Sequence, residues 1–248
     1  MPVVAVIPAR LDSTRFPGKV LADETGKPLI QHTYQQACKA TSIDRVVIAT
    51  DSQEIMAAAA SFGAEAILTS SDHPNGTSRI AQAAAEIDAE ILVNVQADEP
   101  EIPPLAIDAA VAALEADPEA HVSTLCSPLS DQSMVLDPSV VKVVSDCHGR
   151  ALYFSRSLIP YDRDGLGQIQ PMQHIGLYVY RRAILPVYLN LPATPLEQAE
   201  KLEQLRLIEH GLPIAVATYP VQHQGIDTPE QYAQFVSRCT QSPQSREA

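Results

Sequence analysis

Cations are scarce in this chain: 17 Lys and Arg stand against 30 Asp and Glu over 248 residues, a formal net charge of −13 at pH 7. General nucleic-acid binding needs a basic footprint, so this balance argues against a nucleic-acid partner. Any anionic ligand must be held by cations gathered in one place. No apolar run approaches the roughly 20 residues of a membrane-spanning helix, and the start has neither the basic nor the apolar region of a signal peptide. A soluble, cytoplasmic protein with no membrane partner is expected. The four cysteines, Cys38, Cys126, Cys147 and Cys239, form no C-x-x-C pair and no zinc spacing, which predicts reduced, mostly packed thiols. Glycine counts only ten, and neither G-x-x-x-x-G-K-[ST] nor G-x-G-x-x-G occurs, which argues against a P-loop NTPase and a dinucleotide oxidoreductase.

Against these absences stands a regular rhythm of apolar runs and helical segments. Val3 to Ile7 reads as a buried strand that stops at Pro8, "RVVIATD" (45–51) as a second, "AEAILTS" (64–70) as a third and "EILVNVQADEP" (90–100) as a fourth, ending on two acids. Between them, Asp51 and Glu54 have the D-x-x-E spacing to cap an Ala-rich helix that Gly63 would stop, and further helices are predicted around 77–88 and 103–116. Strands alternating with helices predict a doubly wound, mostly parallel α/β sheet, a three-layer sandwich. After residue 116 the rhythm changes. "VVKVVSD" and "HGRALYFSR" predict a hairpin turned at Asp146 to Gly149, "HIGLYVYR" (174–181) another strand, and 195–211 one amphipathic helix ended by Gly211, so a smaller β-rich subdomain is expected within the fold. The polar end, 241–248, is expected to fray.

The chemistry sits at the predicted C-terminal strand ends, where doubly wound sheets carry their ligand loops. Arg10, Arg15 and Lys19 surround Pro17-Gly18 directly after the first strand and would wrap a polyphosphate, the alternative being solvated surface charges. Asp98 and Glu99 end a strand parallel to the first. A carboxylate beside a phosphate site suggests Mg²⁺, which takes one or two protein carboxylates and completes its shell with phosphate oxygens and water; the alternative is an acidic turn before Pro100.

The blocks "IPARLDSTRFPGK", "DHPNGTSR", "VNVQADEP", "ALYFSRSLIP", "HIGLYVYR", "LEQLR" and "GIDTPEQ" together resemble the 3-deoxy-manno-octulosonate cytidylyltransferase (CMP-Kdo synthetase) family over about residues 3–236. The resemblance implies transfer of CMP from CTP to the acid sugar Kdo with release of pyrophosphate, in lipopolysaccharide biosynthesis, with Mg²⁺ as cofactor and a homodimer as the assembly. It implies one cytidylyltransferase domain over 1–240, with a nucleotide half to about 120, a sugar-binding and dimerisation half over about 121–215, and a return to the main sheet over 216–240. Carried over block by block, Arg10, Arg15 and Lys19 resemble the triphosphate ligands, with Pro8 and Ala9 near the cytosine. Ser71, Asp72 and Arg79 resemble the part that closes over base and ribose. Asp98 and Asp227 resemble the Mg²⁺ carboxylates, and Arg10, Lys19, Asp98 and Asp227 together the catalytic set. Gln96, Arg156, His174, Tyr178, Glu203 and Gln204 resemble the sugar pocket.

Some of these residues keep a second reading. His174 also suits a hydrogen-bonded structural role, Glu203 and Gln204 lie on a charged helix, and Asp227 in D-T-P-E is a good helix N-cap. Two positions depart from the family, which usually has Gly at Ala97 and Glu at Ser78; Ala97 narrows the room beside Gln96 and disfavours a positive φ there. A cytidylyltransferase for an 8-amino Kdo analogue or a sialic acid shares the same sheet logic and differs around Arg156, His174 and Glu203. A catalytically silent nucleotide-binding protein is the other rival, and the acids at 98 and 227 argue against it.

Overall fold

The computed structural model describes residues 2–13, 15–167, 169–221 and 225–241. In chain order it forms β1 (Val3–Ala9), α1 (Leu29–Ala37), β2 (Arg45–Thr50), α2 (Gln53–Ser61), β3 (Glu65–Leu68), α3 (Gly76–Ala83), β4 (Ile91–Asn94), α4 (Pro104–Ala116) and β5 (Val122–Pro128). There follow α5 (Gln132–Leu136), β6 (Lys142–Ser145), β7 (Ala151–Ser155), β8 (Met172–Arg181), α6 (Ile184–Asn190), α7 (Pro195–Glu200), α8 (Leu205–Glu209), β9 (Ile214–Thr218) and α9 (Pro229–Gln241). The residues divide into two compact units, one over 2–88, 94–104 and the segment from 222, the other over 89–93 and 105–221. The frayed end expected over 241–248 lies, beyond Gln241, outside the described residues.

In the first unit β3, β2 and β1 lie side by side and parallel, with Ile7 opposite Ile48 and Ile48 opposite Ala66. Val4 to Ile7 and Val47 to Ala49 are buried, as expected of parallel strands covered on both faces. Strand β1 does not stop at Pro8: Pro8 and Ala9 continue the pairing, opposite Ala49 and Thr50. A proline at a strand end gives up one N–H while its fixed φ still suits extended backbone. The chain returns to this unit through α9. Leu29 of α1 and Ile226, Tyr232 and Phe235 form one buried cluster, with Phe16 and Cys239 against it.

Two helix starts differ from expectation. Ser52, not Asp51, caps α2, its Oγ accepting from the amides of Glu54 (3.2 Å) and Ile55 (3.3 Å). At α9 the cap is Thr228, whose Oγ1 accepts from Gln231 N (3.3 Å) while the Gln231 side chain takes the amides of Asp227 (2.7 Å) and Thr228 (3.0 Å). This reciprocal box satisfies the helix end without either aspartate, so Asp51 and Asp227 are released for other partners.

In the second unit β5 pairs antiparallel with β8 and parallel with β9, and β6 pairs antiparallel with β7 and β8. The β6–β7 hairpin turns where expected, with Gly149 N donating to Asp146 O (3.1 Å) and Asp146 N to Arg150 O (2.8 Å). The helix expected over 195–211 is instead two: α7 ends as Lys201 enters the left-handed region (φ 54°), and α8 begins at Leu205. Only Cys126 of the four thiols is buried; Cys38 and Cys147 are exposed and Cys239 intermediate, so the packed-thiol expectation fails for two of them, and all four are free.

Candidate active site

Lys19 organises the first unit's site. The loop that leads to it closes where Gly18 N donates to Leu11 O (3.0 Å), and Gly18 stands at φ 70°, a conformation that costs glycine nothing and launches the 3-10 turn Lys19–Leu21. From there the Lys19 ammonium donates to Asp98 Oδ2 (2.7 Å), Ile226 O (2.8 Å) and Asp227 Oδ1 (3.0 Å). Arg15 reaches the other oxygen of Asp227 at 3.0 Å. Burial works against the charge on Lys19, but Asp98 and then Asp227 outweigh it and hold the ammonium above the ordinary lysine value. Four of the predicted residues, far apart in sequence, therefore meet at one point.

Local structure explains why they meet. Strand β4 ends at Asn94, so Asp98 and Glu99 lie beyond it, in a turn in which Glu99 N donates to Gln96 O (3.1 Å). Thr33 of α1 donates to Ala97 O (3.0 Å) and Ile226 N to Asp98 O (2.8 Å), fixing that turn to the first helix and to the returning chain. Ala97 is buried and keeps a negative φ, so the methyl that departs from the family is accommodated without left-handed backbone. Arg10 follows directly on β1, half-buried, with no ion pair among the described residues.

The base-and-ribose set behaves differently. Ser71 and Asp72 are exposed, whereas Arg79 is 0% exposed, its guanidinium donating to Asp51 Oδ2 (2.7 Å) and to Thr69 Oγ1. Arg79 thereby ties α3 to the ends of β2 and β3. Asn75 caps α3, accepting from Ser78 N (2.8 Å), while Ser78 Oγ donates back to Asn75 O (2.9 Å), so the family's Glu at this position is replaced by a hydroxyl that also serves the cap. Gly76 lies against the Pro8 ring, where a Cβ would sit in ordinary contact at 3.4 Å, so the start of α3 packs closely on the end of β1.

Of the sugar set, Gln96 belongs to the first unit and the rest to the second. His174 Nε2 lies 2.8 Å from Thr124 Oγ1, whose own proton goes to Leu177 O (2.8 Å), so Nε2 carries the imidazole hydrogen and Nδ1 is left as an acceptor. The pairing of β5 with β8 shifts register between Thr124 and Leu125, which brings Thr124 to this position. Phe154 meets the His174 ring edge-on at 4.9 Å and Tyr178 lies at 5.4 Å. Burial pushes His174 down to about 3, keeping the imidazole neutral at physiological pH, and pushes the Tyr178 phenol well above its ordinary value. Because His174 is depressed in the folded chain, its stabilising share is complete above the unfolded value near 6.5 and is lost as pH falls toward 3, at up to ~1.4 kcal/mol per pH unit. Thermal melts of the parent and His174→Gln between pH 7 and 4 should therefore converge in acid; parallel curves would show that His174 does not carry the titration.

Arg156, at the end of β7, donates through Nε to Glu200 O (2.8 Å) and through Nη1 to Pro138 O (3.0 Å). Glu200 in turn accepts from Ser155 Oγ (2.6 Å) and Arg156 N (2.9 Å). The Glu200 carbonyl at the end of α7 is thus satisfied by Arg156, where the helix breaks at the left-handed Lys201. Glu203 is exposed and accepts from Tyr188 OH (3.4 Å), and Gln204 is buried with Nε2 unsatisfied among the described residues.

Sequence reasoning missed Glu200, Thr124, Asp51 and Lys142. Lys142 is 0% exposed, its ammonium donating to the carbonyls of Asp137 (3.0 Å), Val140 (2.7 Å) and Arg156 (2.6 Å). A lysine among four valines in "VVKVV" was the visible signal.

The cytidylyltransferase family model matches residues 4–214. A 3-deoxy-manno-octulosonate cytidylyltransferase of Solibacter usitatus is 48% identical over 92% of this chain and 90% of its own length, and one of Geobacter metallireducens is 45% identical over 97% and 98%. A solved structure of CMP:2-keto-3-deoxy-manno-octonic acid synthetase complexed with CTP superimposes with a TM-score of 0.93 at 39% identity, covering 97% of this chain and 99% of that one. The inositol-1-phosphate CTP transferase from T. maritima, at 15% identity and a TM-score of 0.66, shares the fold. A mixed α/β fold on a mostly parallel sheet, a cation and acid cluster in the loops that follow β1 and β4, and relatives at this identity over nearly full length make the chain a member of the 3-deoxy-manno-octulosonate cytidylyltransferase family.

Proposed function

We propose that this chain transfers CMP from CTP to Kdo, giving CMP-Kdo and pyrophosphate for lipopolysaccharide biosynthesis. The convergence of Arg15, Lys19, Asp98 and Asp227 is the observation that carries the reading. In this reading Arg10, Arg15 and Lys19 hold the triphosphate, while Pro8, Ala9, Ser71 and Asp72 border the nucleoside. Arg79 acts from beneath, holding the start of α3 through Asp51. The anomeric hydroxyl oxygen of the acid sugar bonds to the α-phosphorus as the bond to the pyrophosphate oxygen breaks, and the hydroxyl proton passes to solvent. Positioning and charge neutralisation supply most of the catalysis.

Asp98 and Asp227 fit Mg²⁺. Two hard carboxylate oxygens already share one cation, and among the described residues no group of three or more His, Cys, Asp or Glu forms an all-protein cage, which matches an ion completed by phosphate oxygens and water. Bound there, the ion would supply neutralisation of the phosphate charge. Arg156 suits the sugar carboxylate, and His174 Nδ1, Tyr178, Glu203 and the unsatisfied Gln204 amide suit its hydroxyls.

A homodimer is supported by exposed apolar side chains on and after β7, including Leu152, Tyr161, Leu166 and Ile169. A cytoplasmic location is supported by four free thiols, and among the described residues no helix is long and apolar enough to cross a membrane. Pyrophosphate release from CTP with Kdo and Mg²⁺ tests the reading. Release with Kdo and not with sialic acid or the 8-amino analogue is expected; release with sialic acid alone would overturn the substrate.

A further inference from the structure

We infer that Lys19 is a built-in counter-cation for Asp98 and Asp227, which holds the acid pair together in the nucleotide-free protein and keeps a divalent ion out until a polyphosphate draws it away. The inference rests on the reading of that pair as the metal carboxylates. An ammonium has three donors, and all three are committed, to Asp98, Asp227 and the Ile226 carbonyl. The group that is to hold phosphate is thus fully occupied, and so is one oxygen of each acid. Arg15 takes the second oxygen of Asp227 from an exposed position. A divalent ion entering between the two acids would meet the ammonium already there, and like charges at such separations repel strongly in a partly buried site. The ammonium can leave only if other anionic oxygens replace its three acceptors, and a triphosphate supplies them. Metal and nucleotide then favour each other by the same factor, since coupling between two ligands is reciprocal.

The inference is tested by titrating Mn²⁺ into the nucleotide-free protein and reading the bound fraction by electron paramagnetic resonance. Lys19→Met should tighten Mn²⁺ binding about tenfold or more, within the usual range of coupling between sites. Arg15→Gln, a change at a side chain that is 66% exposed and so no threat to folding, should tighten it by about two- to threefold, the size of an exposed ion pair. Unchanged or weaker Mn²⁺ binding in either folded variant would overturn the inference. Asp98→Asn separates this from the underlying reading: it should abolish the Mn²⁺ binding gained in the Lys19→Met background, and binding that survives Asp98→Asn there would place the metal elsewhere and sink both.

Discussion

Asp227→Asn is expected to lower turnover by at least ~100-fold, because even residues that only support a metal ligand cost 10- to 100-fold when removed and a ligand should cost more. Stability should barely change. The structure removes the ambiguity that the D-T-P-E spacing carries, since Thr228 and Gln231 cap α9 and Asp227 contributes only its amide to that box. The substitution deletes a charge shared by Lys19 and Arg15 while leaving Lys19 its bonds to Asp98 and Ile226 O. With Asp227 partly exposed, solvent screening holds the loss to about 1 kcal/mol, a fall of roughly 2 to 4 °C in Tm for a chain of this size. Steady-state rates at rising Mg²⁺ together with a thermal melt check both halves. A near-parental rate would make Asp227 a partner of Lys19 and nothing more.

Lys142→Met should be the more damaging change to the fold. Methionine keeps the straight apolar stem but removes three donors at once, stranding the carbonyls of Val140 and Arg156 and leaving Asp137 O only the amide of Val140 (3.2 Å). The two stranded acceptors are half-buried, and at the lower part of the roughly 1 to 3 kcal/mol that each unsatisfied group costs a total of about 3 kcal/mol is expected, so Tm should fall by roughly 6 to 12 °C. The Arg156 carbonyl is one of the three, so affinity for the acid sugar should weaken as well. CTP affinity should hold, because the cation and acid cluster of Arg15, Lys19, Asp98, Ile226 and Asp227 includes, among the described residues, no partner of Lys142. Melting and separate calorimetric titrations with CTP and Kdo distinguish the outcomes. A variant that melts like the parent would mean that water satisfies all three carbonyls and Lys142 is dispensable to the loop.

Elements with strong local signals were legible. The parallel strands of the first unit show as uninterrupted Val and Ile runs because both their faces are covered, and the hairpin at Asp146 to Gly149 shows because its turn residues satisfy their own backbone. Helix boundaries were less so. Asp51 and Asp227 carry cap chemistry in sequence, yet each stands one residue before the residue that caps, and only the folded chain shows which of two adjacent side chains turns back onto the helix and which turns to a distant cation.

By itself the sequence determined the α/β alternation, the cationic loop after the first strand and the acids that would answer it, since these follow from periodicity and residue chemistry over short spans. Tertiary structure alone decided how they are used. Lys19 lies 79 positions from Asp98 and 208 from Asp227, and their shared hydrogen bonds form where α1, the turn after β4 and the returning chain at Ile226 are tied together by the Thr33 hydroxyl on Ala97 O and the Ile226 amide on Asp98 O. The break between α7 and α8 was likewise beyond local reading. Residues 195–211 have the pattern of one helix, but Lys201 turns into the left-handed region, and Arg156, 44 positions upstream of Glu200, satisfies the carbonyl at the end of α7. Local propensity proposes an element, but where it ends depends on partners that only the folded chain brings within reach, because a helix end must find acceptors and donors for the groups its own ladder leaves over.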